Sequence, residues 1–315
     1  MSHHLSRIAG TAAVAALALV PLVGCATTGE AAPQSSASPS SAPSASEEYA
    51  ERFAALEERY DARLGVFAVD TGTEETLAHN ADDRFAYAST HKAFSAAAVL
   101  RRSSDEDLER VITYSEEDLQ EYAPVAEENL GTGLTLLEVC DAAVRHSDNT
   151  AANLLFDELG GPSGLQEELR EIGDEVTHVD RVEPDLNEAV PGDVRDTSTP
   201  RAMATTLRAY TLGDVLPEDR REILVDLLRR NLTGDTVIRA GVPDDWTVGD
   251  KTGSAGYGGR NDIAVLWPPK GDPIVLAVMS SRDVEDAERD DALIADAAAI
   301  VVEAMGGGVP GGRAD

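Results

Sequence analysis

Ala88-Ser89-Thr90-His91-Lys92 opens a run of helical character, with a serine at its start and a lysine three residues later. Positions three apart share a helix face, which brings the Ser89 hydroxyl and the Lys92 amine within reach of one another. A hydroxyl beside a basic amine is one arrangement for an activated nucleophile, and the unpaired amides of a helix start favour negative charge developing there. The same residues also serve a plainer purpose, with Ser89 as a helix cap and Lys92 as a solvated charge. Composition bears on the choice. The chain has only three lysines, Lys92, Lys251 and Lys270, against twenty-three arginines. A guanidinium does not deprotonate in a protein, so chemistry that needs a basic group uncharged part of the time falls to the lysines.

At 315 residues with 42% hydrophobic content, the chain is long enough for one large or two modest domains around a substantial core. A net charge of -32 argues against nucleic acid as a partner, because a phosphate backbone would be repelled across most of the surface. Two cysteines, Cys25 and Cys140, do not make a disulfide framework, and Cys140 lies in an apolar helical run where it packs as a small hydrophobe.

Residues 1–25 carry an export signal, with Arg7 in a short polar start followed by an apolar run. The run ends Leu22-Val23-Gly24-Cys25, which resembles the lipobox of bacterial lipoproteins and implies a lipid on Cys25; simple secretion and an uncleaved anchor are the alternatives. Residues 26–46 are almost wholly Ala, Ser, Pro, Thr and Gly and are expected to form a flexible tether. Beyond it, Phe53, Leu56 and Tyr60 repeat at helical spacing, and 65–70 and 76–79 follow as strands joined at Thr71-Gly72. From residue 85 to 230 the pattern is helical, broken by Gly and Pro, with clear helices at 147–159 and 198–210. Strands return at 246–252, 260–267 and 274–280, a last helix is expected over 285–305, and 309–315 form a flexible tail. The order is that of an α+β protein. Residues 47–84 and 231–308 share one sheet, an all-helical domain of 85–230 is inserted between them, and the crevice between the two is the expected ligand site.

Two further motifs carry chemistry. Ser147-Asp148-Asn149 stands at a helix start, where all three residue types are also good caps. Lys251-Thr252-Gly253-Ser254 ends a strand, placing a lysine where it meets a substrate carboxylate and a glycine where a ligand approaches the backbone. With Ser89 and Lys92 these form the set S-x-x-K, S-D-N and K-T-G shared by class A β-lactamases and penicillin-binding proteins. Residues 47–308 resemble a class A serine β-lactamase. What separates that family from the related peptidases is a motif reading Glu183-Pro184-Asp185-Leu186-Asn187 here.

The resemblance implies a five-stranded antiparallel sheet flanked by helices, a helical domain with an omega loop near 178–196, and an active site in the cleft between them. It implies Ser89, Lys92, Ser147 and Glu183 as catalytic residues, with Asn187 orienting the deacylating water. It assigns substrate contacts to Asn149, Lys251, Thr252, Gly253, Ser254, Tyr122 and Arg239, the last for the substrate carboxylate; other members take that arginine from the neighbouring strand, where this chain has Asn261. Arg181 and Asp196 fall where an ion pair closes the omega loop. A disulfide found in many members is missing, since Ala96 stands opposite Cys140. Hydrolysis of the β-lactam amide through an acyl-serine follows as the expected activity, in a monomer that touches a membrane only through Cys25. No cofactor or metal is implied, the six histidines offering no ligand spacing. A penicillin-interacting peptidase or esterase and a non-catalytic cell-wall-binding lipoprotein are the rival readings.

Overall fold

The computed structural model of the protein describes residues 45–306. The expected export signal, lipobox and tail, and all but the end of the tether, lie outside the described residues. In chain order the principal elements begin with helix α1 (Ala45–Tyr60) and strands β1 (Arg63–Asp70) and β2 (Thr76–His79). Six helices follow: α2 (His91–Arg102), α3 (Leu136–Arg145), α4 (Asn149–Leu159), α5 (Pro162–Glu171), α6 (Pro200–Thr211) and α7 (Glu218–Arg229). The chain then returns through β3 (Thr247–Ser254), β4 (Arg260–Trp267), β5 (Ile274–Ser281) and α8 (Asp291–Met305).

The five strands form one antiparallel sheet in the order β2-β1-β5-β4-β3. Its middle strands read as unbroken apolar runs, such as Ile274-Val275-Leu276-Ala277-Val278, because both faces are covered. Leu64, Val66, Ala68, Ala264, Leu276 and Val278 pack on one face beneath α1 and α8, with Phe53, Leu293 and Ile294. Phe67, Val69, Ile263, Val265, Val275 and Ala277 face the opposite way, into a larger cluster built on the helices. Side chains alternate across a strand, so each run supplies both cores at once.

Helix α2 is the centre of the second core. All ten residues from His91 to Leu100 are buried, and a helix covered on every side belongs in the interior. Its Ala96-Ala97-Ala98 stretch lets neighbours approach closely. Cys140 is buried and free, and burial pushes its thiol up to about 12, which makes it inert. Helix starts follow their caps: Thr135 and Glu138 form a capping box at α3, Asp148 caps α4 and Thr199 caps α6. The last helix begins at Asp291 instead of near residue 285, because the Asp290 side chain accepts the Ala292 amide and fixes the start there.

Between α5 and α6 the chain crosses the mouth of the cleft as a loop, closed at its base by Asp196. This carboxylate is fully buried. It accepts the amides of Asp180 (2.9 Å) and Arg181 (3.0 Å), the Tyr87 hydroxyl (3.2 Å) and Arg181 Nε (2.6 Å). A pair this sheltered escapes most of the solvent screening that weakens surface ion pairs. Asp196→Ala is expected to cost about 3 kcal/mol of stability in urea unfolding, since it strips four donors of their acceptor. A loss within about 0.5 kcal/mol, the range of ordinary surface substitutions, would show that other contacts close the loop.

Candidate active site

Ser89 sits in a single 3-10 turn, Ala88–Thr90, immediately before α2. The Tyr87 carbonyl gathers this turn, accepting from Thr90 Oγ1 (2.7 Å), Thr90 N (3.3 Å) and Asn261 Nδ2 (3.2 Å). From the sheet side β3 closes on the same point. A Cβ on Gly253 would lie 2.8 Å from the Tyr87 carbonyl oxygen and 3.1 Å from Thr90 Cγ2. Gly253 is therefore demanded by the chain beneath the serine, where the sequence pointed to the approach of a ligand.

The three lysine-bearing and acidic motifs converge here. Lys92 Nζ is buried and lies 2.9 Å from Glu183 Oε1, 2.9 Å from the Ser147 carbonyl and 2.5 Å from Asn149 Oδ1. Three ammonium protons thus meet three acceptors. The Ser89 hydroxyl donates to Glu183 Oε1 at 3.4 Å, so its partner is the carboxylate and not the Lys92 amine that the spacing led us to expect. Burial alone would raise the Glu183 carboxyl, but the adjacent Lys92 ammonium outweighs it and holds the group well below the usual carboxylate range. Burial pushes Lys92 down from its ordinary value against the pull of Glu183.

Glu183 is pinned through its backbone as well. Asn153 Nδ2 donates to the Glu183 carbonyl and Asn153 Oδ1 accepts its amide, both at 2.9 Å. Asn153 went unnoticed in the sequence; it lies one turn beyond Asn149 on the same face of α4, and that spacing is the signal that finds it. Asn187 Nδ2 donates to Glu183 Oε2.

Ser147 precedes α4 and is not part of it, with φ +58°. Its hydroxyl accepts from Lys251 Nζ at 3.1 Å, so Ser147 bridges the two lysines through carbonyl and side chain. Lys251 also donates to the Thr252 carbonyl at 2.9 Å. Burial, then the nearby Lys92 charge, brings its ammonium down to about 7. Asp148 faces away, accepting the amides of Val125, Ala126 and Ala151 and so fixing the wall opposite. That wall carries Tyr122, exposed at the cleft mouth with φ +60°, its carbonyl accepting the Asn149 amide at 3.1 Å.

Arg239 lies elsewhere. Its Nε donates to Asp250 Oδ1 at 2.5 Å and its Nη2 to the carbonyls of Leu228 and Arg229. Asp250 is a buried carboxylate on β3, and Arg239 supplies the cation that it requires. Arg260 lines the cleft instead, together with Arg289; it is paired in register with Ser254 and donates to its hydroxyl at 3.0 Å while Asp291 accepts from Nε at 2.6 Å. Asn261 turns to the other face of β4, donating to the carbonyls of Ala86 and Tyr87. One residue along a strand reverses the face, which is why counting to Asn261 missed it.

Ser89, Tyr122, Ser147, Asn149, Asn187, Thr252, Gly253, Ser254 and Arg260 line one cleft of about 480 Å³. Among the described residues no group of His, Cys, Asp or Glu is placed to hold a metal ion. The arrangement places a hydroxyl beside a buried carboxylate that is itself paired with a lysine, with arginines along one wall.

Residues 48–305 match the model of the beta-lactamase enzyme family. The chain is 60% identical to a beta-lactamase of Amycolatopsis lactamdurans over 256 residues, covering 81% of this chain and 85% of that one. It is 52% identical to a beta-lactamase of Bacillus licheniformis over 299 residues, covering 95% and 96%. Among solved structures, a halotolerant bacterial beta-lactamase superposes with a TM-score of 0.79 at 56% identity, covering 80% of this chain and 98% of that one. The class A beta-lactamase of Clostridium kluyveri gives 0.81 at 49%, covering 82% and 99%. With the fold, the cleft and the matched span in agreement, the chain belongs to the β-lactamase enzyme family, as a class A serine member.

Proposed function

We propose that the protein hydrolyses the β-lactam amide of penicillins and cephalosporins through an acyl-serine on Ser89, and so confers resistance to them. The observation that carries this reading is the Glu183 carboxylate, ionised, buried and 3.4 Å from the Ser89 hydroxyl. A nucleophile beside a fixed base forms an acyl-enzyme, and the same base facing a water removes it. The peptidase reading has no use for that second role.

In the first half-reaction Ser89 Oγ bonds to the lactam carbonyl carbon and the ring C–N bond breaks. Glu183 takes the serine proton, as the hydrogen bond from Ser89 and the full set of acceptors around Lys92 support. The serine's proton does not stay on Glu183: Lys92, 2.9 Å away, takes it up as it yields one of its own toward Ser147, and the Ser147 hydroxyl, which faces Lys251, hands a proton to the departing nitrogen, so that Glu183 enters the second half-reaction as a carboxylate. Backbone amides of Ser89 and Ser254 hold the oxyanion, a contribution on the order of 3 kcal/mol per donor in serine hydrolases. Lys251, Ser254 and Arg260 bind the substrate carboxylate, with Thr252, Asn149 and Tyr122 along the remaining walls. In the second half-reaction Glu183, oriented by Asn187 and Asn153, draws a proton from water as its oxygen bonds to the acyl carbon and Ser89 is released. The segment from Arg181 to Asp196 acts as the family's omega loop, carrying Glu183 across the cleft. Export is proposed on Leu22-Val23-Gly24-Cys25, with a lipid on Cys25 holding the enzyme at the outer face of the cell membrane and residues 26–46 as its tether.

Ser89→Ala should abolish turnover of a chromogenic cephalosporin, and retained activity would reject the scheme. Glu183→Ala should leave an acylated Ser89 detectable by intact mass spectrometry minutes after mixing with penicillin; rapid return to the free mass would remove Glu183 from the second half-reaction. The charge of Lys251 gives a pH dependence. Because its ammonium titrates at about 7 in the free enzyme, kcat/KM for a carboxylate-bearing substrate should fall as pH rises through that value. Methyl esters of the same substrates should lack this limb, and an identical limb for both would assign it to another group. Growth of the producing cells with a fatty-acid analogue should label the protein at Cys25, whereas an unlabelled product released to the medium would indicate ordinary secretion.

A further inference from the structure

The imidazole of His91 is buried at the floor of the site and has no role in the cycle above. It lies between Ser89 and Lys92 in sequence. Its ring stacks on Phe156 with centroids 5.0 Å apart and meets Tyr87 at 5.8 Å. On one side Nδ1 is 3.0 Å from Ser95 Oγ, itself fully buried. On the other side Nε2 is 3.6 Å from Glu183 Oε1 and, among the described residues, has no hydrogen-bond partner. The charged groups that face it are Glu183 from the loop, Lys92 from its own helix and Lys251 from β3.

The two neutral tautomers are not equivalent here. With the proton on Nδ1, the Nε2 lone pair would face an ionised carboxylate and both would be repelled. With the proton on Nε2, Nδ1 accepts from the Ser95 hydroxyl and an N–H dipole points at Glu183. The second arrangement satisfies Ser95 and aligns every charge. At 3.6 Å the contact is longer than a hydrogen bond, and the reason is visible at Oε1, which already accepts from Lys92 and from Ser89. Acylation changes that count. Once Ser89 Oγ is bonded to the acyl carbon it has no proton to donate, and the nearest donor still without a partner is His91 Nε2–H.

We propose that His91 is a positioning residue for deacylation: in the acyl-enzyme its Nε2–H closes on Glu183 Oε1, takes the place of the Ser89 hydroxyl and keeps the carboxylate turned toward the attacking water. This rests on Glu183 acting as the base of the second half-reaction. It also sets a pH dependence. Burial lowers the imidazole's affinity for a proton and Lys92 holds the Glu183 carboxyl well below its usual range, so a proton gained by His91 at low pH turns their contact into an imidazolium–carboxylate pair. The imidazolium then draws charge from the carboxylate and deacylation slows.

The test is His91→Phe, which retains the ring and its stacking on Phe156 and removes both nitrogens. On a substrate limited by deacylation, kcat should fall about 5-fold at neutral pH and KM should fall with it, leaving kcat/KM unchanged. The acid limb of kcat should move to lower pH by more than about half a unit. A limb that superimposes on that of the parent enzyme, or moves to higher pH, overturns the proposal whatever happens to kcat, because a merely structural role leaves it in place. Should the variant fail to fold, ring ¹⁵N shifts of His91 in the parent enzyme decide the matter. A protonated Nε2 and bare Nδ1 are expected, and the opposite tautomer refutes the proposal. Glu183→Gln separates this from the reading beneath it: normal turnover by that variant removes Glu183 as the base, whereas a trapped acyl-enzyme together with an unaltered His91→Phe limb removes His91 alone.

Discussion

The ion pair between Lys92 and Glu183 has both side chains wholly withdrawn from solvent, at 2.9 Å. Taking two such charges out of water costs several kcal/mol each, and their attraction offsets this only when every remaining proton and lone pair finds a partner. Much of the local structure follows from that requirement. The Ser147 carbonyl and Asn149 Oδ1 complete the lysine, while Asn187 and Ser89 complete the carboxylate. Glu183 sits on a loop, so the loop must also be held. Asn153 fixes its backbone on the helix side and Asp196 closes the base on Tyr87 and Arg181. Tyr87 in turn is the residue whose carbonyl gathers the turn bearing Ser89. Ion pair, loop and nucleophile thus form one mechanical circuit.

The distribution of charge gives the same site its direction. A chain with formal net charge -32 repels anions at long range, but at ionic strengths near 0.15 M that repulsion is screened over about 8 Å. At the cleft the charges are mixed, with Lys251 behind Ser147 and with Arg260 and Arg289 in or along the sheet side, Arg260 being paired with Asp291. An anionic substrate therefore feels the outer charge weakly and the inner cations in a partly desolvated groove, where they act most strongly. The acidic surface and an anion-binding cleft are compatible because screening acts on the exposed charges and spares the buried ones.

Most of this was legible in the sequence where a motif is local. Four short motifs identified the residues around Ser89, and the apolar runs placed β4 with its ends at 260 and 267, as found. What escaped depended on partners distant in sequence. Arg260 was missed by one residue, because strand face is a matter of parity and the count fell on Asn261. Arg239 was misplaced because nothing in the sequence announces that Asp250 is buried and needs a cation. The start of α8 moved by six residues on the strength of a single cap at Asp290. Asn153 and His91 were invisible as functional residues for the same reason, their meaning lying in a carboxylate that approaches from another segment.

Among the described residues nine that are not glycine have left-handed backbone, and three of them border the nucleophile and the cleft. Ala88, Tyr122 and Ser147 adopt left-handed backbone with φ of +49°, +60° and +58°, and none of them is glycine. Each such residue costs on the order of 1–2 kcal/mol, and it persists where the surroundings over-determine it. Here the surroundings are explicit. Ala88 opens the turn tied to Tyr87, Tyr122 accepts from Asn149, and Ser147 precedes the cap residue Asp148, which is bound to three amides. The strained backbone brings α2 and α4 to the cleft by their N-terminal ends, so Ser89, Lys92, Ser147 and Asn149 emerge within reach of one another although up to sixty residues separate them. A relaxed turn at Ser147 would redirect the carbonyl that Lys92 needs, and the buried pair would lose one of its acceptors. The strain is stored where it keeps the lysine satisfied, and the two large cores on either side of the sheet supply the stability that tolerates it.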